Sequence, residues 1–353
     1  MCHCVDSPKY KQRVVSFSFL LDSCLRRNDA VVEQILKDTT LHYNFQFFKI
    51  QNYEEKAVSI EDFIISVYCL VDEELNKIVM EPLTSRGFAP KLSDAEVITM
   101  DIVGEFLRKD TDTGIWRYFQ THWLTLFPCL GSRVNYAKQS ANLWNIKQLM
   151  QMALAQPMGA LSDNLHLTDG LPMPVCHFKR AYFSHIFEGI AAYGYCDSKE
   201  ETYYGFKGNL AISSEGIITG MTVTAANIDE RESLWDIIGN IKGLLFADKG
   251  LMGDYFQNEI KRYTHVNLQT PTRNNMSEPR GKDCNRWINS TRRLVETVIG
   301  QLSEQFNIAK IRARDLWHLT SRIARKILAH TVGIFVNKLM EHPPLQFEKL
   351  NIV

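Results

Sequence analysis

A change of hydrophobic pattern near residue 156 constrains the fold of this chain more than any other feature. Between about residues 60 and 154, apolar residues recur at the three- and four-residue spacing of helices. After residue 156, short runs rich in aromatic and β-branched residues alternate with turn residues, as strands do. The sequence therefore predicts an α/β protein with a mixed sheet flanked by helices, preceded by a small helical domain.

The first half of this pattern carries a clear helix start. Ser93 and Glu96 have the spacing of a capping box, directly before an apolar run over 97–107. Helical spacing also predicts a helix from about residue 61, a second over 115–121 and a long one over 135–154.

The second half predicts the strands. Residues 202–212 and 216–224, separated by the turn residues 213–216, have the composition of a β-hairpin. A helix is predicted over 229–241, with Asn227 and Asp229 as caps of the turn that leads into it. Buried strands are predicted over 244–247 and 266–269, and two helices in the C-terminal part. The sequence predicts four regions. They are an N-terminal extension at 1–57, interpreted as a candidate for disorder, the helical domain at 58–155, the sheet domain at 156–341 and a tail at 342–353.

Composition excludes several classes of protein. No apolar stretch approaches the roughly 20 residues that a membrane helix needs, and the apolar run at 14–21 lacks a cleavage site of small residues. The eight cysteines form no C-x-x-C pair, which favours free thiols in a reducing compartment. Neither a phosphate-binding G-x-x-x-x-G-K-[ST] loop nor a G-x-S-x-G nucleophile elbow is present. We therefore expect a cytoplasmic protein outside the motor ATPases and serine hydrolases.

Charge is unevenly distributed although the formal net charge is +0. Residues 161–260 contain seven Lys and Arg against fourteen Asp and Glu, whereas residues 261–330 contain fourteen against five. An acidic segment that could bind metal, followed by a basic one that could hold phosphates, would suit an enzyme acting on DNA. Chance clustering of solvated faces is the alternative.

Three carboxylates could form a metal site. Asp169 and Asp248 each follow a short apolar run and precede turn residues, so both are expected at the end of a strand. Glu296 lies beside the apolar face of a predicted helix. Carboxylates are ligands for Mg²⁺, with Mn²⁺ as the alternative, and two such ions support phosphodiester chemistry. In the alternative interpretation there is no metal site: the two aspartates favour turns, and Glu296 is a solvated partner of Arg292.

A basic stretch with an aromatic residue follows the acidic segment. Candidate phosphate contacts in this stretch are Arg273, Arg280, Lys282 and Arg286, with Trp287 available for base stacking, although a solvated loop explains them equally well. Lys249, beside Asp248, could also contact a phosphate, but a surface lysine is the preferred interpretation. Further basic side chains that could extend this surface are Arg312, Arg314, Arg322, Arg325 and Lys326. Trp317, which lies between these basic residues in the sequence, is expected in the core, because tryptophan is mostly buried.

Six segments, in this order, resemble those of bacterial DDE transposases, and most closely the insertion-sequence 982 family. They are DGLPMPVC at 169–176, AYGYC at 192–196, YYGFK at 203–207, TAANIDER at 224–231, ADKG at 247–250 and RRLVETVIGQ at 292–301. The resemblance covers about residues 58–341. It implies an RNase H-like fold for the sheet domain, with Asp169, Asp248 and Glu296 as the acidic triad.

The resemblance also implies a function. It implies Mg²⁺-dependent cleavage of DNA at element ends and strand transfer into target DNA, carried out by a homodimer or larger assembly. Arg292 and Arg293 would contact this DNA, while the lysine that some relatives carry two turns after the glutamate is replaced by Ser303. Two alternatives remain: an RNase H-like nuclease without strand transfer, and an inactive or repurposed DNA-binding protein. The helical domain would either bind DNA ends or be purely structural or dimerising.

Overall fold

In the part of the chain that the structure describes, five helices precede the first strand. The computed structural model describes residues 58–79, 89–196, 200–272, 281–350 and 352, so the predicted extension at 1–57 lies outside the described residues. The five are α1 (Ile60–Ile78), α2 (Asp94–Phe106), α3 (Asp112–His122), α4 (Arg133–Asn142) and α5 (Trp144–Ala155).

The capping box at the start of α2 is confirmed. The Ser93 hydroxyl accepts from the Glu96 N–H at 3.1 Å, and the Glu96 carboxylate accepts from the Ser93 N–H at 2.6 Å. The single long helix expected over 135–154 is wrong, because Leu143 leaves helical geometry with φ −84° and ψ 11°. Two helices, α4 and α5, therefore replace it.

Six strands form one mixed sheet. They are β1 (Leu165–Cys176), β2 (Ala192–Cys196), β3 (Glu201–Ser213), β4 (Ile218–Ala225), β5 (Gly243–Phe246) and β6 (Val266–Gln269). β3 pairs with β1 along one edge and with β2 and β4, one after the other, along its other edge. β5 runs parallel to β1 and β6 parallel to β5. The predicted hairpin is thus confirmed as β3 and β4.

Helices flank the sheet. They are α6 (Phe178–Ala181), α7 (Glu230–Leu234), α8 (Asp254–Tyr263), α9 (Lys282–Glu304) and α10 (Leu316–Leu339). The helix predicted over 229–241 is mostly wrong, since α7 is five residues long and only a 3₁₀ turn follows it at Ile238–Asn240, where Gly239 and Asn240 disfavour a helix. The predicted mixed sheet, flanked by helices and preceded by a helical region, is confirmed and is consistent with an RNase H-like fold.

One hydrophobic core joins the helical region to the sheet. Its buried side chains come from α1, α2 and α5 and also from β1, β3, β4, α9 and α10. The C-terminal helix α10 lies at the centre of this core, with buried side chains along almost its whole length. The helical region and the sheet therefore share this core, and the domain boundary expected near residue 155 stays a prediction.

Buried charges cross the same contact. On α2, Glu105 accepts from Arg325 Nε at 2.6 Å and from Lys326 Nζ at 2.8 Å. At the start of α3, Asp112 accepts from Arg325 at 2.9 Å and from Arg322 at 2.5 Å. Although burial raises the pKa of Asp112, the two arginines outweigh burial and hold that pKa well below its ordinary value.

A second part of this network lies one helical turn away. Lys147 on α5 contacts the Asp101 carboxylate at 2.5 Å, and the same carboxylate accepts from the Tyr136 hydroxyl, also at 2.5 Å. Lys147 also donates to the Ser321 hydroxyl of α10 at 3.1 Å. α10 is thus joined to α2, α3 and α5 by charge-assisted hydrogen bonds, which are stronger than neutral ones.

Two expectations for α10 are wrong. Arg325 and Lys326, expected on a DNA-facing surface, are each 1% exposed because their charges are paired with Glu105 and Asp112 inside the core. Trp317, expected in the core, is 49% exposed, packs edge-on against Trp144 and donates to Asn142. Arg312 and Arg314 are exposed, as expected.

A buried histidine on α10 predicts how stability depends on pH. Burial lowers the pKa of His330 to about 3, so its neutral form is the folded form. The unfolded chain takes up this proton below about pH 6.5, so stability falls as the pH falls from there toward 3. At about pH 5 the loss from this group should be about 2 kcal/mol. Urea unfolding of the wild type and of His330→Leu, each at pH 7 and at pH 5, measures this loss. If the difference in unfolding free energy between the two proteins is the same at both pH values, the assignment is contradicted.

None of the described helices is both long and apolar enough to span a membrane.

Candidate active site

The two predicted aspartates lie on neighbouring parallel strands. Asp169 is in the middle of β1, paired across to Leu210 of β3, and Asp248 lies two residues beyond the end of β5. The expectation that Asp169 ends a strand is wrong, because β3 continues to pair with β1 as far as Cys176. For Asp248 the expected strand end is confirmed. A 3₁₀ turn over Lys249–Leu251 follows it.

Arg292 joins these two carboxylates. Its Nη1 donates to Asp248 Oδ1 at 2.9 Å, and its Nη2 lies 3.6 Å from Asp169 Oδ2. The arginine comes from α9, whose buried residues Ile288, Val295, Val298 and Leu302 fix the helix against the core. Arg292 itself is 9% exposed, so its charge is available to the two aspartates and little to solvent.

Glu296 lies on the same helix, one turn after Arg292. It is exposed, and within the described ranges it makes no hydrogen bond or ion pair. In those ranges there is also no group of three or more His, Cys, Asp or Glu side chains arranged to hold a metal ion. The structure therefore brings Asp169 and Asp248 together, and leaves Glu296 beside this pair without a contact to it.

A third carboxylate, Glu230, does share a cleft with the aspartates. The cleft is lined by Asp169, Asp248, Glu230, Asn209 and Gly170, with Thr168, Leu234 and Leu251 completing its walls. Glu230 is the first residue of α7, and Lys207 of β3 approaches its carboxylate at 3.4 Å. Sequence reasoning missed Glu230; the available signal was the expected cap at Asp229, which places the next side chain at the start of a helix.

That cap is confirmed. The Asp229 carboxylate accepts from the Arg231 N–H at 2.8 Å and so fixes the first turn of α7. On the other side, Asn209 donates to the Ser233 hydroxyl at 2.8 Å and holds α7 against β3. Glu230 is therefore carried by a short helix that is anchored at both ends of its first turn.

The cleft has an unbalanced negative charge. Burial, and to a smaller extent the neighbouring carboxylates of Asp248 and Glu230, raise the pKa of Asp169 to about 6. The Gly170 N–H, which donates to Asp169 at 2.8 Å, and Arg292 act in the opposite direction but do not outweigh burial. A cation entering this cleft would favour the ionised form of Asp169.

The predicted DNA-binding residues fall into three groups. Lys249, Lys282, Arg286 and Arg293 are exposed, and Arg286 also pairs with Asp283 at 3.1 Å. Arg292 is engaged by the aspartates, and Arg273 and Arg280 lie outside the described residues. Trp287 is 51% exposed while one edge packs on Phe246, so a face remains open to solvent.

Comparison with known proteins concerns this same region. Residues 160–316, less than half of the 353, match the family model described as the transposase DDE domain. The match supports a DDE transposase. It spans β1 to the first residue of α10 and so includes every carboxylate of the cleft. A DDE domain implies a DNA substrate, and such domains normally use divalent metal ions. Searches of curated proteins and of solved structures gave no match.

The cleft residues fit a divalent cation. Asp169, Asp248 and Glu230 line one cleft, and carboxylate oxygens are the ligand type that hard cations prefer, although within the described residues these three side chains are not arranged to hold a metal ion together. Gly170 lines the cleft, and a Cβ at this position would lie 3.3 Å from Glu230 Oε1 and 3.3 Å from Asn209 Oδ1. Asp248 and Glu230 also keep side chains that are 52% and 36% exposed, so they remain accessible to ligand.

Proposed function

We propose that this chain is a transposase that cuts DNA at the ends of its own insertion element and joins the freed 3′-hydroxyl to target DNA. The observation that carries the proposal is the pairing of Asp169 and Asp248 through Arg292, within a region matched by the transposase DDE domain. The motifs quoted above favour the insertion-sequence 982 family. The protein would act in the cytoplasm, as at least a dimer, because two element ends must be held together.

In this proposal Asp169 and Asp248 hold divalent cations, Mg²⁺ or Mn²⁺, together with Glu230 or Glu296. Such ions neutralise charge at phosphorus and activate an oxygen nucleophile. Arg292 orients both aspartates, since one guanidinium contacts both carboxylates. Lys249 is exposed beside Asp248, which suits a contact with the phosphate next to the scissile bond. Exposed Lys282, Arg286 and Arg293 on α9 would hold the flanking backbone.

The test is a cleavage and joining assay. Purified protein is incubated with Mg²⁺, target DNA and labelled DNA carrying the two ends of the element that encodes it. Cleaved ends joined to target are the expected products. Cleavage without joining would instead favour an RNase H-like nuclease, and binding without cleavage an inactive or repurposed DNA-binding protein. The same assay in EDTA should give no product if the reaction requires a divalent cation.

The identity of the third acidic residue is a separate prediction. We expect Glu230→Gln to lower the cleavage rate by roughly a hundredfold or more, because Glu230 shares the cleft with both aspartates. Glu296→Gln should do the same if Glu296 moves toward the aspartates when DNA and metal bind. Exposed Glu232 on α7 and Glu304 on α9 provide matched Gln variants, which should keep wild-type rates. Wild-type cleavage by Glu230→Gln would remove that residue from the site.

A further inference from the structure

A cavity along the outer edge of β4 contains polar side-chain atoms that have no partner. β4 pairs only with β3, and its outer edge is covered by α5, α10 and the segment that follows α7. Gln148 of α5 lines this cavity and is 7% exposed, yet neither its Nε2 nor its Oε1 has a hydrogen-bond partner in the described structure. Thr219 of β4, also 7% exposed, has an unpartnered hydroxyl in the same space.

These atoms define what could fill the cavity. A buried amide without a partner costs about 1–3 kcal/mol per group, so an occupant that pairs with it is strongly favoured. Gln148 presents a donor and an acceptor side by side, so its best partner presents an acceptor and a donor side by side. Nearby Gln151 does not compete, since its Nε2 donates to the Ile218 carbonyl at 2.8 Å.

The walls select among such partners. No Lys, Arg or His lines the cavity, whereas Asp236 does, and this charge balance disfavours an anion. Met152, Met221, Ile237 and Ile327 provide apolar surface. A neutral planar ring with a donor–acceptor edge satisfies both the walls and Gln148, as an adenine edge satisfies a glutamine amide.

We propose that this cavity is a nucleobase-binding site in which Gln148 reads the base edge. The base could come from a free nucleoside or from a DNA strand. A base from a DNA strand at the candidate active site could reach the cavity, because the strand register joins the two places. Met221, in the cavity wall, pairs with Leu210, and Leu210 pairs with Asp169. Two strand spacings, about 10 Å, therefore separate the cavity wall from Asp169. Binding of a free nucleoside would not depend on the proposed strand cleavage.

The first arm of the test uses the full chain and free nucleosides. Adenosine, guanosine, cytidine and thymidine are titrated by calorimetry and by ligand-observed NMR. At least one is expected to bind, and Gln148→Leu should weaken that binding about tenfold or more. Thr219→Val, which replaces only the hydroxyl, provides a second variant if Gln148→Leu does not fold. Gln120→Leu, at an exposed position on α3, should bind as wild type does.

The second arm identifies the source of the base. Binding of a short single-stranded oligonucleotide is compared with binding of a set of variants of the same strand. Each variant lacks the base at one nucleotide position. If the base comes from DNA, one abasic position should weaken binding about tenfold in wild type and have no effect in Gln148→Leu. Binding of nucleosides without any abasic effect assigns the site to a free nucleoside. If no nucleoside binds and no abasic position matters, the cavity holds water only and the proposal is overturned.

Discussion

Replacement of Asp248 by Asn is expected to abolish DNA strand cleavage while leaving DNA binding nearly unchanged. The substitution keeps the shape of the side chain and a carbonyl oxygen that can still accept from Arg292, but removes the negative charge that a divalent cation requires. We expect the cleavage rate to fall by roughly a thousandfold or more, the scale on which single catalytic groups act. Asp169→Asn should have an effect of the same size, because Arg292 contacts both carboxylates.

The control for this experiment is Asp254→Asn. Asp254 is exposed at the start of α8, six residues after Asp248, and makes no side-chain contact within the described residues. Cleavage should be measured with labelled ends in Mg²⁺, and binding by gel shift in Ca²⁺ or EDTA. Cleavage by Asp248→Asn at the rate of Asp254→Asn would exclude Asp248 from the site. Loss of binding in the Asn variant would instead indicate a structural role.

Replacement of Glu105 by Gln is expected to destabilise the protein by about 3–5 kcal/mol. Glu105 is 1% exposed and is the carboxylate shared by Arg325 and Lys326. A neutral amide removes the carboxylate that pairs with buried Lys326, whereas Arg325 keeps its ion pairs with Asp101 and Asp112. A buried charge without a partner costs more than the ion pair itself contributes, so the effect should be large.

Equilibrium unfolding in urea measures this loss. Glu304→Gln provides a control at an exposed glutamate and should stay within about 0.5 kcal/mol of wild type. Because Glu105 belongs to α2 and its partners to α10, the destabilised variant should still unfold in a single transition. Two separate transitions in the wild type would show that the helical region and the sheet unfold independently.

The sequence predicted the fold well where one local signal was sufficient. The capping box at Ser93, the hairpin of β3 and β4, and the strand before Asp248 each follow from a pattern within about ten residues. Asp169 was misplaced at the end of its strand because Gly170, directly after it, suggested a turn. Pairing with β3 along one edge of β1 holds this segment extended instead.

The site was only partly predictable for a related reason. Asp169 and Asp248 could be proposed from motifs, but their contact through Arg292 spans 44 residues from Asp248 and depends on how α9 packs. Glu230 lies in the cleft on the short helix α7, which Asn209 holds against β3. The hydrophobic periodicity of the sequence indicates neither the length of α7 nor this hydrogen bond. Arg325 and Lys326 resembled a surface patch because their partners lie more than 200 residues earlier in the chain.

The ion network on α10 also determines how small a stable fragment of this protein can be. The matched region at 160–316 ends at the first residue of α10, so a fragment with those bounds lacks both sides of the network. A longer fragment that starts at β1 keeps Arg322, Arg325 and Lys326 but loses the carboxylates of Asp101, Glu105 and Asp112. For recombinant expression, the smallest unit expected to fold therefore begins before α2 and ends after α10. Sequence similarity alone would place both boundaries inside the core.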